Sequence, residues 1–117
     1  LDLRSPCGAV IGQLAYNYDG KIYSCDEGRM IGDDIFMVGN VHNNNYKDVT
    51  TSDVTCNLIT SSINDTHQCD ACVYKPYCGL CPVCNYAEIG NIITKNVQSP
   101  RCKIIIAQLD YLFTKIF

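Results

Sequence analysis

"CDACVYKPYCGLCPVC", residues 69 to 84, places five cysteines in sixteen positions. Cysteine packs well singly, so such density points to thiol chemistry or metal binding rather than to core filling. The spacing is Cys69-x2-Cys72-x5-Cys78-x2-Cys81-x2-Cys84, and further cysteines stand at Cys7, Cys25, Cys56 and Cys102. Cys-x2-Cys brings two sulfurs to one centre across a turn, which suits both zinc and iron–sulfur clusters. A disulfide framework fits less well, because nine is an odd number and "LDLRSPCGAV" at the start has no secretory apolar region. The segment 69–84 is expected to be irregular, its shape set by whatever the sulfurs bind.

On either side of this segment the chain reads as regular structure. In "LAYNYDGKIYSC", residues 14–25, two alternating apolar runs meet at Asp19-Gly20, a pair that favours a tight hairpin with positive φ at both turn positions. Cys25 would then end the returning strand. "FMVGNV" at 36–41 is a second extended piece, and "HNNNY" after it is polar and turn-prone. Ser52 or Asp53 can cap a helix over 53–62, with Val54, Leu58, Ile59 and Ile63 on its apolar face and "NDTHQ" ending it. Cys56, alone on that helix, reads as a buried core residue. Ser99 as N-cap and Pro100 at the first helical position start a last helix, whose apolar set is Ile105, Ile106, Leu109, Leu112, Phe113 and Ile116. Cys102 falls in its first turn, where unpaired N–H groups favour an anionic centre. The fold class is α+β: a small metal-organised domain with an N-terminal β-hairpin, a middle helix, an irregular Cys-rich loop and a C-terminal helix.

The 117 residues are one domain's worth of chain, and the net charge of -3 supplies no basic stripe for phosphates, so no nucleic-acid partner is expected. No apolar run approaches the roughly 18 residues of a membrane span, so the expectation is no membrane partner and a soluble, cytoplasmic protein. With no initiator methionine before "LDLRSPCG", the chain reads as part of something longer. His42 and His67 sit in polar surroundings and read as exposed rather than as ligands. Zinc ribbons separate their two knuckles by about 12 to 20 residues, against five between Cys72 and Cys78. The ferredoxin run is matched only in part, since Pro82 follows Cys81 rather than a later cysteine. On spacing alone both metals stay open.

Taken together, Cys7-x12-Gly20-x4-Cys25, "CDACVYKPYCGLC" and a late Cys102 resemble the SPASM pattern, the auxiliary-cluster domain at the C-terminal end of radical SAM enzymes that modify peptides and proteins. "IGQLAYNYDGKIYSCDEGRM", "CVYKPYCGLCPVCNYAE" and "RCKIIIAQLDYLF" further resemble the maturases of the His-Xaa-Ser peptide system. The chain departs from the pattern where Cys78-x2-Cys81 is one residue short and Cys84 is additional. Gly79 and Pro82 around Cys81 match the family's surroundings and favour Cys81 over Cys84.

The resemblance implies two auxiliary [4Fe–4S] clusters. One would take Cys7, Cys25 and Cys81, with Cys84 as candidate fourth ligand. The other would take Cys69, Cys72, Cys78 and Cys102. Some family members complete the first cluster with a cysteine ahead of the first motif cysteine, and residues 1–6 contain none. Either Cys84 closes the shell, which its chelating spacing favours, or one iron stays open and Cys84 is a small buried residue beside Tyr86. Lys75, Arg101 and Lys103 neighbour proposed ligands and would offset cluster charge.

No Cys-x3-Cys-x2-Cys motif for a SAM-cleaving cluster is present, and no nucleophile constellation stands out. The resemblance therefore implies a non-catalytic part of a radical SAM enzyme. S-adenosylmethionine would belong to a preceding barrel, which generates a 5′-deoxyadenosyl radical and acts on a precursor peptide or protein. The clusters would exchange electrons with a donor or help hold the substrate. The expected partners are that barrel, the substrate and the electron donor. The alternative is a zinc-binding structural or protein-interaction module, and a preparation made in air could carry zinc at the same thiolates.

Overall fold

The computed structural model describes residues 7–62, 69, 71–93 and 100–117. Its architecture is α+β, with a three-stranded antiparallel sheet in the order β1-β2-β3 and five α-helices among the described residues. Strands β1 (Ala15–Tyr16) and β2 (Lys21–Tyr23) form the expected hairpin, pairing Ala15 with Tyr23 and Tyr16 with Ile22. Strand β3 (Met37–Asn40) lies on the other side of β2, with a bulge between Ile22 and Tyr23.

The hairpin turn differs from the two-residue turn that Asp19-Gly20 suggests. The Asn17 N–H donates to Lys21 C=O at 2.9 Å, the Gly20 N–H donates to Asn17 C=O at 3.1 Å, and of the turn residues Gly20 alone has positive φ, 87°. This is the three-residue connection, in which one left-handed glycine lets the strands resume pairing. Nor does Cys25 end the strand. Pairing continues as far as Ser24, whose N–H donates to Phe36 C=O at 3.0 Å, and Cys25 then opens helix α1 (Asp26–Ile31) as its N-cap.

Helix α2 (Tyr46–Thr50) follows the turn-prone "HNNNY", sharing Tyr46 with it, in chain where the sequence marks no element. Asn45 and Asp48 close a reciprocal capping box, each accepting the other's backbone N–H at 2.9 and 3.0 Å. Helix α3 (Asp53–Ser62) falls where the periodicity puts it, with Ser52 Oγ accepting the Thr55 N–H at 3.2 Å. Its inward face is different. Thr55, Leu58, Ser61 and Ser62 are buried, Ile59 is half-buried, and Cys56, expected in the core, is exposed. Thr55 donates its hydroxyl to Val49 C=O at 2.6 Å, so a polar side chain is satisfied inside and the next residue turns outward. Ile63, the helix end at "NDTHQ", His67 and the Ser99 cap lie outside the described residues.

Between Ala71 and Cys81 the chain is irregular apart from a 3₁₀ turn at Lys75–Tyr77, as expected. From Pro82 it is not. Proline at the first helical position starts helix α4 (Pro82–Ile89), and Gly90 ends it with φ 72°. Helix α4 joins the core through buried Val83 and Asn85. Tyr86 sets its ring edge-on to Phe36, with centroids 5.3 Å apart, and donates its hydroxyl to Asp33. Ile22, Tyr23, Phe36, Val38, Val49 and Leu58 complete the centre of the core.

Helix α5 (Pro100–Ile116) starts at the proline that marks it in the sequence, yet none of its residues is buried. Of the expected apolar set, Ile106, Leu112 and Ile116 are exposed. Cys102, Ile105, Leu109 and Phe113 are half-buried and form a stripe at three- and four-residue spacing. Phe113 stacks on Tyr74 and meets Tyr77 edge-on, at 5.9 and 5.2 Å between centroids, and Tyr74 donates to Asp110. The helix is therefore docked along one narrow seam against the cysteine-rich loop. No helix among the described residues is long and apolar enough to cross a membrane.

Leu58 is 1% exposed and Ile104 56% exposed. Leu58→Ala is expected to cost about 2–5 kcal/mol in urea unfolding, and Ile104→Ala no more than about 0.5 kcal/mol. Equal losses would contradict this partition of core and surface.

Candidate metal centre

Cys7, Cys25 and Cys81 come from three distant parts of the chain. Cys7 is half-buried at the head of a tight turn in which Gly8 and Val10 both have positive φ, 73° and 65°. That is a strained conformation for a β-branched residue. Two hydrogen bonds hold it, since the buried Val10 N–H is shared between Gln13 C=O at 3.0 Å and Ser24 C=O at 3.2 Å. The Ala9 N–H at the same turn donates to the Cys7 sulfur. Cys25 is buried, and its sulfur accepts the Gly28 N–H at 3.3 Å and the Ser24 hydroxyl at 3.9 Å. Gly28 has to be small there: a Cβ would stand 3.1 Å from Phe36 Cβ and 3.2 Å from Ser24 Oγ. Cys81 is the N-cap of α4, and its side chain makes no capping hydrogen bond.

These thiols sense one another. Burial pushes Cys7 up from its ordinary 9.0, and the charges of Cys81 and Cys25 raise it further. Burial likewise raises Cys25, and Cys81 adds to the effect. Cys84, one turn into α4, is exposed and is hydrogen-bonded to Cys81. Its thiol is raised first by desolvation and then by that bond. A small buried residue beside Tyr86 is therefore not what Cys84 is.

Cys69, Cys72, Cys78 and Cys102 form the second set, all half-buried. Burial raises Cys78, and Cys102, Cys69 and Cys72 raise it further; Cys102 is raised by burial and then by Cys69 and Cys72. Local turns curl the loop. The Cys72 N–H donates to Cys69 C=O at 3.1 Å, and the Cys78 N–H donates to Tyr74 C=O at 3.0 Å. Tyr74 and Tyr77, between Cys72 and Cys78, grip Phe113 near the far end of α5, about three turns from Cys102.

Cys7 thus feels the charges of Cys25 and Cys81, and Cys78 those of Cys69, Cys72 and Cys102. The Arg101 charge lowers both Cys78 and Cys84, so one guanidinium faces both groups. Lys103 and His42 are exposed. None of the nine cysteines, all of them among the described residues, is in a disulfide.

Among the described residues, no three His, Cys, Asp or Glu side chains converge on a point that could hold one metal ion. Cysteine thiols are donors for zinc and for iron–sulfur clusters alike. The donor set, eight thiols with N–H and O–H groups turned toward Cys7 and Cys25, fits thiolate ligation of that kind.

Sequence reading did not anticipate those donors. Ala9, Ser24 and Gly28 act through backbone N–H groups or a hydroxyl, and the one sequence signal was a glycine three residues after Cys25. The chain matches no family model and no curated protein.

The raised thiols fix a pH dependence. In the unfolded chain they ionise near 9.0, and in the folded metal-free chain only above that value, so their contribution is full below pH 9 and is lost as pH rises through the folded values. The urea midpoint of the metal-free chain should fall between about pH 8 and about pH 10. A rising midpoint over that interval would contradict the burial of these thiols.

Proposed function

We propose that this chain is an auxiliary iron–sulfur domain of a radical SAM enzyme that modifies a ribosomal peptide or protein, akin to the His-Xaa-Ser maturases. One [4Fe–4S] cluster would be held by Cys7, Cys25 and Cys81, the other by Cys69, Cys72, Cys78 and Cys102. The observation that carries the reading is that cysteines far apart in the chain lie within reach of one another's charge: Cys25 and Cys81 raise Cys7, and Cys69, Cys72 and Cys102 raise Cys78. Free core cysteines have no reason to gather in this way.

When bound, such clusters supply one-electron chemistry at thiolate-held iron. The chain's own residues bury Cys25, half-bury Cys7 and set hydrogen-bond donors on both sulfurs. Both features tune a thiolate centre's potential. Arg101 offsets charge between the two groups. A precursor peptide, an electron donor and the SAM-binding barrel remain the proposed partners, and a cytoplasmic location suits oxygen-sensitive clusters.

The test is metal and sulfide analysis of the chain reconstituted anaerobically. The expected result is about eight iron and about eight acid-labile sulfide per chain. One or two zinc ions taken up in preference to iron, without sulfide, would overturn the reading in favour of a structural zinc module. Cys102→Ser should remove about four iron and loosen α5, whereas Cys56→Ser, at an exposed site on α3, should leave the iron content unchanged. Full iron in Cys102→Ser would contradict the assignment of the second group.

A further inference from the structure

Cys81, Pro82, Val83 and Cys84 make a Cys-Pro-Val-Cys unit, and the backbone fixes how its two cysteines stand. Pro82 is the first residue of α4, so Cys81 is the N-cap and Cys84 the third helical residue. The Asn85 N–H donates to Cys81 C=O at 3.0 Å, which closes the first turn around the pair. Three residues along such a turn the Cα atoms are about 5 Å apart, inside the roughly 4.4–6.8 Å that a disulfide spans. The turn is held in place, since Pro82, Val83 and Asn85 are buried and Asn85 Nδ2 donates to Ile92 C=O at 3.0 Å. The Cys81 side chain makes no capping hydrogen bond, so the start of the helix does not engage its sulfur. Cys84 is exposed and Cys81 half-buried, which gives the pair one sulfur open to solvent and one sheltered. Cys69 and Cys72 also share a turn, with the Cys72 N–H on Cys69 C=O at 3.1 Å, but both are half-buried.

We propose that Cys81 and Cys84 form a dithiol site that exchanges with a low-molecular-weight disulfide. Cys84, the exposed partner, attacks as thiolate, bonding to one sulfur of the disulfide while the other leaves as a thiolate. The Cys81 sulfur then attacks Cys84, which forms the Cys81–Cys84 bond and releases the second thiolate. The two cysteines have lost two protons and two electrons. The protons end on the released thiols, and the electrons have reduced the S–S bond of the substrate. This exchange needs no metal. Its consequence for metal rests on the cluster reading proposed above: a bridged Cys81 has no thiolate to give, so the bridge and a cluster held by Cys81 exclude each other. Oxidation at the exposed sulfur thereby sets whether the Cys7, Cys25 and Cys81 centre can be built.

The test uses the metal-free, reduced chain, treated anaerobically with oxidised glutathione, quenched with acid and mapped by mass spectrometry. The Cys81–Cys84 bridge should be the first disulfide formed within the chain, ahead of Cys69–Cys72. In Cys81→Ser, whose serine is itself a good N-cap, Cys84 should retain glutathione as a mixed disulfide and lose it at least about tenfold more slowly than in the unsubstituted chain, where the second thiol is already in place. Cys84 left reduced, bridged to another cysteine, or equally slow to lose glutathione in both chains would overturn the inference and leave the cluster reading standing.

A second arm addresses the metal. The chain reconstituted with iron and sulfide, and freed of excess reagents, is exposed to oxidised glutathione, and chains that carry the bridge should lack about four iron. Bridged chains with full iron would overturn the exclusion and the assignment of Cys81 as a ligand, while the dithiol site would stand.

Discussion

The position of the Cys81 thiol is the constraint on which the two halves of this molecule depend. It faces Cys7 and Cys25, which belong to the hairpin half, and its backbone begins the helix that carries Val83, Asn85 and Tyr86 into the core. The edge-on contact of Tyr86 with Phe36, and its hydrogen bond to Asp33, fix the roll of that helix. Three residues before Cys81, Cys78 lies within reach of the charge of Cys102 in the first turn of the last helix.

Burial without metal leaves these thiols at odds with their surroundings. Desolvation raises Cys7, Cys25, Cys78, Cys84 and Cys102, and in all five a neighbouring thiolate raises it again. A bound metal centre reverses that balance by taking the thiolate form, which couples ligand binding to folding. The last helix shows why the coupling matters. With no buried residue and only the seam from Cys102 to Phe113 against the loop, it has little apolar burial to hold it. A ligand at Cys102 would fasten its first turn directly.

Much of this fold is legible in the sequence where a local signal is strong. The α3 helix follows from apolar spacing and a serine cap, and α5 from Pro100. The hairpin follows from Asp19-Gly20, although the residue that closes the turn is Asn17, which alternation does not mark. Helices α1 and α2 are too short for periodicity to show. The capping pair Asn45 and Asp48 was a readable sign of α2, whereas the cap of α1 is a cysteine, an unusual residue in that role. Pro82 and Gly90 bracket α4 as plainly as Pro100 opens α5, but the density of cysteine around Pro82 reads as loop. Cys56 escaped correct placement because its helix buries Thr55 and two serines in place of a continuous apolar stripe. Spacing gives the members of a local cysteine pair but not the partners of Cys7 or Cys102, which only the resemblance implied.

The most direct test of the claim that thiol-held metal fastens these elements is amide hydrogen exchange, compared between the metal-free and the anaerobically reconstituted chain. Loading should raise protection at least about tenfold in 100–116 and in 82–89, the helices that begin beside Cys102 and at Cys81, and little in α2, which carries no cysteine. Unchanged protection in both cysteine-bearing helices after iron and sulfide have bound would contradict the account.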